Sequence, residues 1–168
     1  MRVYVPLTLS GLAEAHGKGE LGPGPITAYA VTPGLREWYV SDDVEELEYA
    51  ALSRAAAASL RMIAGRPDAA RRRVVVAVDV RDQDATADPG QALDASSLGE
   101  VRIAAAVPLT RAAAVHADAD DAVDDVTAAA AALGAADQGD ADAQFTVDGA
   151  EDRELLWYGV QEIPGIIG

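Results

Sequence analysis

One long stretch with a helical repeat and a stop signal at each end, residues 41–65, constrains the fold of this chain most. Ser41 and Asp42 are good helix N-caps, acidic residues follow in the first turn, and Gly65 ends the pattern. Apolar residues recur at steps of three and four, which predicts one long, mostly buried helix. Its many alanines predict close contact with a sheet or another helix. The apolar positions are Val44, Leu47, Ala51, Ala55, Ala58 and Met62, with Leu52, Leu60 and Ile63 beside them.

Several shorter segments have the composition of strands. The valine run within residues 74–78 is typical of an interior strand that is covered on both faces. A short helix that begins at Ser10 separates the first two strands, and this order predicts a right-handed parallel crossover between them. The predicted strands are residues 2–7, 26–32, 71–80, 101–107, 111–117 and 155–160.

A second alanine-rich helix and several connections account for the other segments. This helix is predicted to begin at Asp118 or Asp120, which are suitable caps, and to end at residues 133–134. Residues 82–99 are polar and residues 135–152 are acidic, so both are expected to be mobile loops. The remaining pieces are residues 35–39, one helical turn, and residues 163–168, a short apolar tail.

Together these elements predict a single α+β or α/β domain over residues 1–168, since a chain of this length buries a sizeable core. We expect a mixed or largely parallel sheet of about five to six strands, two main alanine-rich helices and one short helix. Val-Pro-Leu-Thr at residues 5–8 recurs at 107–110. Trp-Tyr at residues 38–39 recurs at 157–158. Either chance or a duplicated strand-helix-strand unit explains the echoes, and duplication would favour a ferredoxin-like arrangement.

The charge of the chain limits its partners. It contains 28 acidic and 13 basic residues, a formal charge of −15, which disfavours nucleic acid and anionic membranes. The longest apolar run, residues 126–136, is far shorter than the ~20 residues of a membrane-spanning helix. The absence of cysteine excludes disulfides and thiolate chemistry and fits the reducing cytoplasm, where we expect the protein. No cofactor or intrinsic metal site is predicted, and the oligomeric state is left open.

Four parts of the sequence are similar to a known family. They are residues 2–8, residues 28–33 with 35–37, residues 45–50, and residues 155–158 with 161–162. They resemble a family of short conserved proteins from high-GC actinobacteria, a domain of unknown function, and the resemblance spans nearly the whole chain. Because that family has no assigned activity, the resemblance implies a cytoplasmic housekeeping-type protein and carries over no catalytic or binding residue.

His116 is the residue best suited to acid-base chemistry, because histidine is the natural base near neutral pH. It lies at the end of a predicted strand and is followed by Asp118, Asp120 and Asp121, a set suited to proton transfer or to a hard cation. An exposed histidine beside helix-capping aspartates explains the same pattern without catalysis. A small-molecule or metal-dependent enzyme centred on these residues is therefore an alternative, and a ligand-sensing module is a second one.

Aromatic residues beside acids are the leading candidates for a binding surface. Tryptophan and tyrosine are enriched in interface hot spots, and an acidic rim would select a basic partner. The other interpretation is that these residues are the few large fillers of the core. We therefore predict a soluble, acidic protein-interaction or regulatory domain without catalysis, whose partner has a basic surface. The candidates are Trp38, Tyr39, Trp157, Tyr158 and Glu162, with Glu37, Glu48, Tyr49, Asp42 and Glu154 near them.

Overall fold

A computed structural model describes residues 1–87 and 97–168 of the chain. The strands in these ranges are β1 (Arg2–Leu7), β2 (Glu20–Leu21), β3 (Ile26–Ala30), β4 (Val74–Asp79), β5 (Ala85–Thr86), β6 (Glu100–Ile103), β7 (Val107–Pro108), β8 (Ala112–Ala117) and β9 (Leu156–Tyr158). The helices are α1 (Leu9–Lys18), α2 (Pro33–Tyr39), α3 (Val44–Ala64), α4 (Val123–Asp137), α5 (Ala141–Glu151) and α6 (Ile163–Ile167).

The main sheet has the strand order β5-β6-β3-β1-β4-β8-β9, and the short strands β2 and β7 pair separately. All neighbouring strands in the described ranges run antiparallel. The predicted α+β class is therefore confirmed, whereas the parallel crossover from β1 to β3 is wrong. After α1, residues 19–25 lead the chain back to the end of β1, so β3 starts there and pairs with β1 in the opposite direction.

The valine run of β4 lies in the interior of the sheet and is covered on both faces, as predicted. Val74, Val76 and Val78 pack on one face with residues of α1, α6 and the β2-β7 pair. Val75 and Ala77 point to the other face and pack with α3. Because side chains alternate along a strand, one continuous apolar run contributes to two cores.

The predicted long helix is α3, and it packs across the second face of the sheet. Asp43 caps its first turn by accepting hydrogen bonds from two backbone N–H groups. Near its other end, the hydroxyl of Ser59 donates to the carbonyl of Leu7 at 2.7 Å and accepts from the N–H of Val74 at 3.1 Å. Leu7 and Val74 are register partners in β1 and β4. A single buried hydroxyl therefore fixes α3 to two neighbouring strand ends.

Residues 135–152 are not irregular, because they complete α4 and form α5. The carboxylate of Asp140 caps α5 by accepting from the N–H of Ala143 at 3.0 Å. Val147 and Ala150 of α5 are buried in a third apolar cluster with α4 and the end of α3. Tertiary packing of a weakly amphipathic helix thus orders a segment whose acidic composition predicted a loop.

A buried ion pair joins the start of β4 to the end of β8. Arg73 and Asp118 each expose 1% of their side chains. The guanidinium donates to both carboxylate oxygens at 2.9 and 2.7 Å, and the backbone N–H of Arg73 donates to the same carboxylate at 2.8 Å. The predicted helix cap is therefore wrong. Asp118 is held by Arg73, and α4 follows a 3₁₀ turn at Asp120–Ala122 without a side-chain cap.

Three shorter predictions also differ from the structure. The predicted strand 101–107 is divided into β6, which pairs with β3, and β7, which pairs with β2. Between them, the backbone of Ala104 lies where a Cβ on Gly24 would be. The predicted apolar tail is α6, with Ile163 and Ile166 buried. The predicted mobile loop 82–99 lies partly outside the described residues. Its described beginning forms a 3₁₀ turn and β5.

The two sequence echoes occupy different structures. Residues 5–8 lie in β1 and the cap of α1, whereas residues 107–110 lie in β7 and a 3₁₀ turn. Residues 38–39 end a helix, whereas residues 157–158 lie in a strand. The echoes therefore give no support to an internal duplication or to the ferredoxin-like arrangement that it would have favoured.

Replacing Leu47 with Asp should prevent stable folding, because Leu47 is fully buried on α3. An unpaired buried carboxylate should remove much of a typical domain stability of ~5–15 kcal/mol. Ser53→Asp places the same charge on the exposed side of α3 and should change the free energy of unfolding by less than ~0.5 kcal/mol. Urea unfolding of both variants measures the difference, and equal stability would show that the buried side is wrongly assigned.

Breaking the buried ion pair should cost more than replacing it. Asp118→Ala leaves the Arg73 guanidinium buried without its partner and should destabilise the protein by about 3–5 kcal/mol. The double variant Arg73→Met/Asp118→Leu has no buried charge and should be more stable than Asp118→Ala. Thermal unfolding of Asp118→Ala and of the double variant tests this. A double variant that is no more stable than Asp118→Ala would contradict the prediction.

Candidate functional site

An open groove of about 450 Å³ lies between α3, the end of α2 and strand β9, on the face of the sheet that α3 covers. This volume lies in the range of small-ligand and peptide side-chain sites, roughly 300–1,000 Å³. Alanine side chains of α3, namely Ala50, Ala56 and Ala57, form much of one wall. Aromatic rings stand at its sides, and charged residues of the segment 151–154 close one end.

Strand β9 places Trp157 in this groove. The register pairs Trp157 with His116 of β8, so both side chains lie on the same face of the sheet. Trp157 is 64% exposed. Leu156 and Tyr158 point to the opposite face, where they line a second groove together with Glu162. The predicted binding pair Trp157-Tyr158 is therefore divided between two surfaces.

The helices α2 and α3 supply the other aromatic residues of the groove. Tyr39 is the last residue of α2 and is 41% exposed, and Tyr49 on α3 is 53% exposed. Trp38 is 52% exposed but lies outside the described lining of the groove. One aromatic residue from each predicted pair, Tyr39 and Trp157, thus meets Tyr49 at a single site. Their exposure argues against the interpretation that these side chains fill the core.

His116 contributes to the floor of the groove. Burial lowers the pKa of His116, and the positive charge of Arg2 adds to the effect. The imidazole centroid lies 6.4 Å from the ring of Tyr4 in a tilted arrangement. Burial also raises the pKa of Tyr4 to about 12, with a contribution from the negative charge of Glu48. Both rings are therefore uncharged at neutral pH.

The aspartates that follow His116 do not join it in the groove. Asp118 is buried and both of its carboxylate oxygens accept hydrogen bonds from Arg73. Asp120 lines the second groove, and the exposed Asp121 accepts a hydrogen bond from Arg153 at 3.2 Å. None of the three belongs to the described lining of the His116 groove. Across residues 1–87 and 97–168, no cluster of three His, Asp or Glu could hold a metal ion.

Charged residues surround one end of the groove. Arg153 donates to Asp125 at 2.6 Å and to Asp121 at 3.2 Å, so these aspartates compensate its charge. Surrounding protein atoms raise the pKa of Glu151, and a nearby aspartate acts in the same direction. On the other side, residues 37–48 contain acids but no lysine or arginine. Arg54 of α3 lines the groove as well, so the groove has acidic chain on two sides and an arginine on its helix side.

Two residues of this region were not singled out from the sequence. Arg153 is the only lysine or arginine after Arg111, and this isolation in an acidic segment was a usable signal of a structural ion pair. Tyr4 gave no signal of a role beside His116, because a whole strand, β4, lies between their strands. The position of Tyr4 beside His116 follows only from the strand order.

The fold and the groove define an antiparallel α+β protein with an open, aromatic-lined groove. The chain belongs to the family of unknown function DUF6912, which matches residues 1–167. The resemblance to a family without an assigned activity is thereby confirmed. Neither the curated proteins nor the solved structures include a match to this chain. In the part of the chain that the structure describes, no helix is both long and apolar enough to cross a membrane.

The lowered pKa of His116 predicts a loss of stability in mild acid. As the pH falls below 6.5, the ordinary pKa of histidine, the unfolded chain takes up a proton before the folded one does. The stability that comes from the uncharged, buried His116 is therefore fully present above pH 6.5, and it is lost as the pH falls toward the lower pKa of the folded state. His116→Gln should flatten the dependence of the free energy of unfolding on pH below 6.5.

His16→Gln is the matched control, because it removes an exposed histidine of α1. Urea unfolding across a series of pH values should give this variant the slope of the parent protein. The same slope in the parent, His116→Gln and His16→Gln would contradict the prediction.

Proposed function

We propose that this chain is a non-catalytic protein-interaction domain, which binds a basic segment of a partner protein in the groove between α3 and β9. The observation that carries the proposal is the meeting of Tyr39, Tyr49 and Trp157, all of them exposed, around one concave surface. Exposed tyrosine and tryptophan clusters are typical anchors of interface hot spots. Such side chains bury a large area on binding and lose little conformational freedom.

The charge around the groove supports a basic partner. Glu45 lies one helical turn before Tyr49 on the same side of α3, and Glu154 lines the groove near Trp157. An arginine or lysine of the partner would be attracted by these carboxylates and would stack on the face of an aromatic ring. The formal charge of −15 adds a long-range attraction that raises the association rate at low salt.

A peptide-display selection on the immobilised protein tests this proposal. The selected peptides should be enriched in arginine and lysine. Trp157→Ala should weaken their binding by more than ~1 kcal/mol, about fivefold, because it removes the central aromatic anchor. Trp38→Ala removes a similarly exposed tryptophan outside the described lining of the groove and should leave the binding unchanged.

The melting temperatures of both variants serve as the folding control. Each should stay close to that of the parent protein, because both side chains are largely exposed. Selected peptides that lack basic residues would contradict the proposal. Peptides that bind Trp157→Ala as tightly as the parent protein would contradict it as well.

A further inference from the structure

Strand β9 ends one side of the main sheet and has a pairing partner, β8, on one side only. Its exposed residues include Leu156, which is 46% exposed, as well as Trp157. Natural sheets usually protect such an edge with a short strand, a lysine, a proline, a bulge or a covering loop, because unpaired backbone groups there attract other strands. Strand β9 is three residues long, so it offers room for one short added segment. The sequence Leu156-Trp157-Tyr158 contains no such charge or proline.

The direction of the backbone groups in β9 follows from the ladder beside it. The N–H of Asp118 donates to the carbonyl of Arg73 at 3.1 Å, so the backbone groups of Asp118 point toward β4. Because these directions alternate along a strand, the backbone groups of Val115 and Ala117 point the other way, toward β9. Their register partners are Tyr158 and Leu156, respectively.

The same alternation then applies within β9. Leu156 and Tyr158 exchange their backbone hydrogen bonds with β8, and the N–H and carbonyl of Trp157 point outward from the sheet. Among residues 1–87 and 97–168, no backbone group outside the sheet bonds to either atom. An outward N–H and carbonyl beside an exposed indole form one complete position for an added strand.

We propose that this edge receives an extended segment of the basic partner by β-strand addition, so that the main sheet gains a strand beside β9. This inference rests on the proposed function, since it describes how the partner segment enters the groove. The residue opposite Trp157 exchanges two backbone hydrogen bonds with it, and its side chain lies on the groove face. Its two neighbours in the segment point to the face of Leu156 and Tyr158.

This geometry defines the sequence of the partner segment. Every second side chain meets Trp157, Tyr49 and the acidic border, which favours arginine or lysine. The side chains between them meet Leu156 and Tyr158, which favours apolar residues. The segment is therefore an alternation of basic and apolar residues, a pattern that also favours the extended conformation.

Charge decides between a partner and a second copy of this chain at the edge. Pairing β9 with its own copy would bring together two chains of formal charge −15. It would also place the acids of the segment 151–154 near each other. A basic segment instead neutralises this region, so the structure favours it as the occupant.

Amide hydrogen exchange of the 168-residue chain tests the inference, with a synthetic peptide of alternating arginine and valine as the probe. In the free protein, the amides of Leu156 and Tyr158 should be protected and that of Trp157 should exchange fast. A saturating amount of the peptide should slow the exchange of Trp157 by about tenfold or more. A peptide with glutamate in place of arginine should not.

Two modified peptides separate backbone pairing from side-chain binding. N-methylation of the valine positions and N-methylation of the arginine positions give two probes with the same side chains. Because the basic residue opposite Trp157 donates its backbone N–H to β9, the peptide methylated at arginine should bind at least about tenfold more weakly than the peptide methylated at valine.

Two outcomes would overturn strand addition. The first is a peptide whose binding depends on Trp157 but which leaves the Trp157 amide unprotected, in which case the groove binds without the edge and the proposed function stands. The second is protection of that amide that rises with protein concentration without peptide, since β9 would then pair with a second copy. Failure of every basic peptide to bind would instead overturn the proposed function itself.

Discussion

The buried pair of Arg73 and Asp118 determines where the groove and its strand lie. Besides the carboxylate, the guanidinium of Arg73 donates to the carbonyl of Arg153 at 3.3 Å, in the segment that leads into β9. The neighbouring Arg72 donates to the carbonyl of Asp118 at 2.8 Å and lies 3.4 Å from the hydroxyl of Tyr158. Two consecutive arginines thus tie β4, β8 and β9 together from opposite faces. A pair of buried charges adds little net stability, so its main effect is to define one geometry.

The surface of the groove depends on a balance between neutral and charged groups. Its floor holds an uncharged His116, while Arg153 is compensated by two aspartates on α4 and the turn before it. Arg73 and Arg153 are therefore held by aspartates, and Arg54 also lines the groove. Together with the carboxylates of Glu151 and Glu154, and within the field of a chain of formal charge −15, these groups define the potential that an approaching molecule meets.

Strong local patterns predicted the parts of the fold that they control. The repeat of α3 and the glycine at its end, and the valine run of β4, were sufficient because burial on one stripe or on two faces leaves a clear period. The N-cap of α3 is Asp43 rather than the predicted Ser41 or Asp42. Strand direction was not predictable in the same way. Nothing local in residues 19–25 shows that they carry the chain back to the end of β1. The helix α5 was missed for a related reason, since its stability comes from Val147 and Ala150 against α4 rather than from composition.

The candidate site was predictable in its residue types and not in its arrangement. Trp157 and Tyr158 were expected to act together, yet the period of two in a strand already implies opposite faces. The meeting of Tyr39, Tyr49 and Trp157 depends on the strand order and on the position of α3 across the sheet, which no single segment encodes. His116 was separated from its aspartates because Asp118 had a stronger partner in Arg73.

The alanines of α3 have a consequence for how this family can diversify. Ala50, Ala56 and Ala57 leave the groove open because their side chains end at Cβ, but Ala50 and Ala56 are also buried against the sheet. A single nucleotide change from alanine to valine at the half-buried Ala57 would narrow the groove from the helix side without touching β9, whereas the same change at Ala50 or Ala56 would also add volume to the core. The width of the groove can therefore vary at Ala57 while the packing of α3 on the sheet is kept.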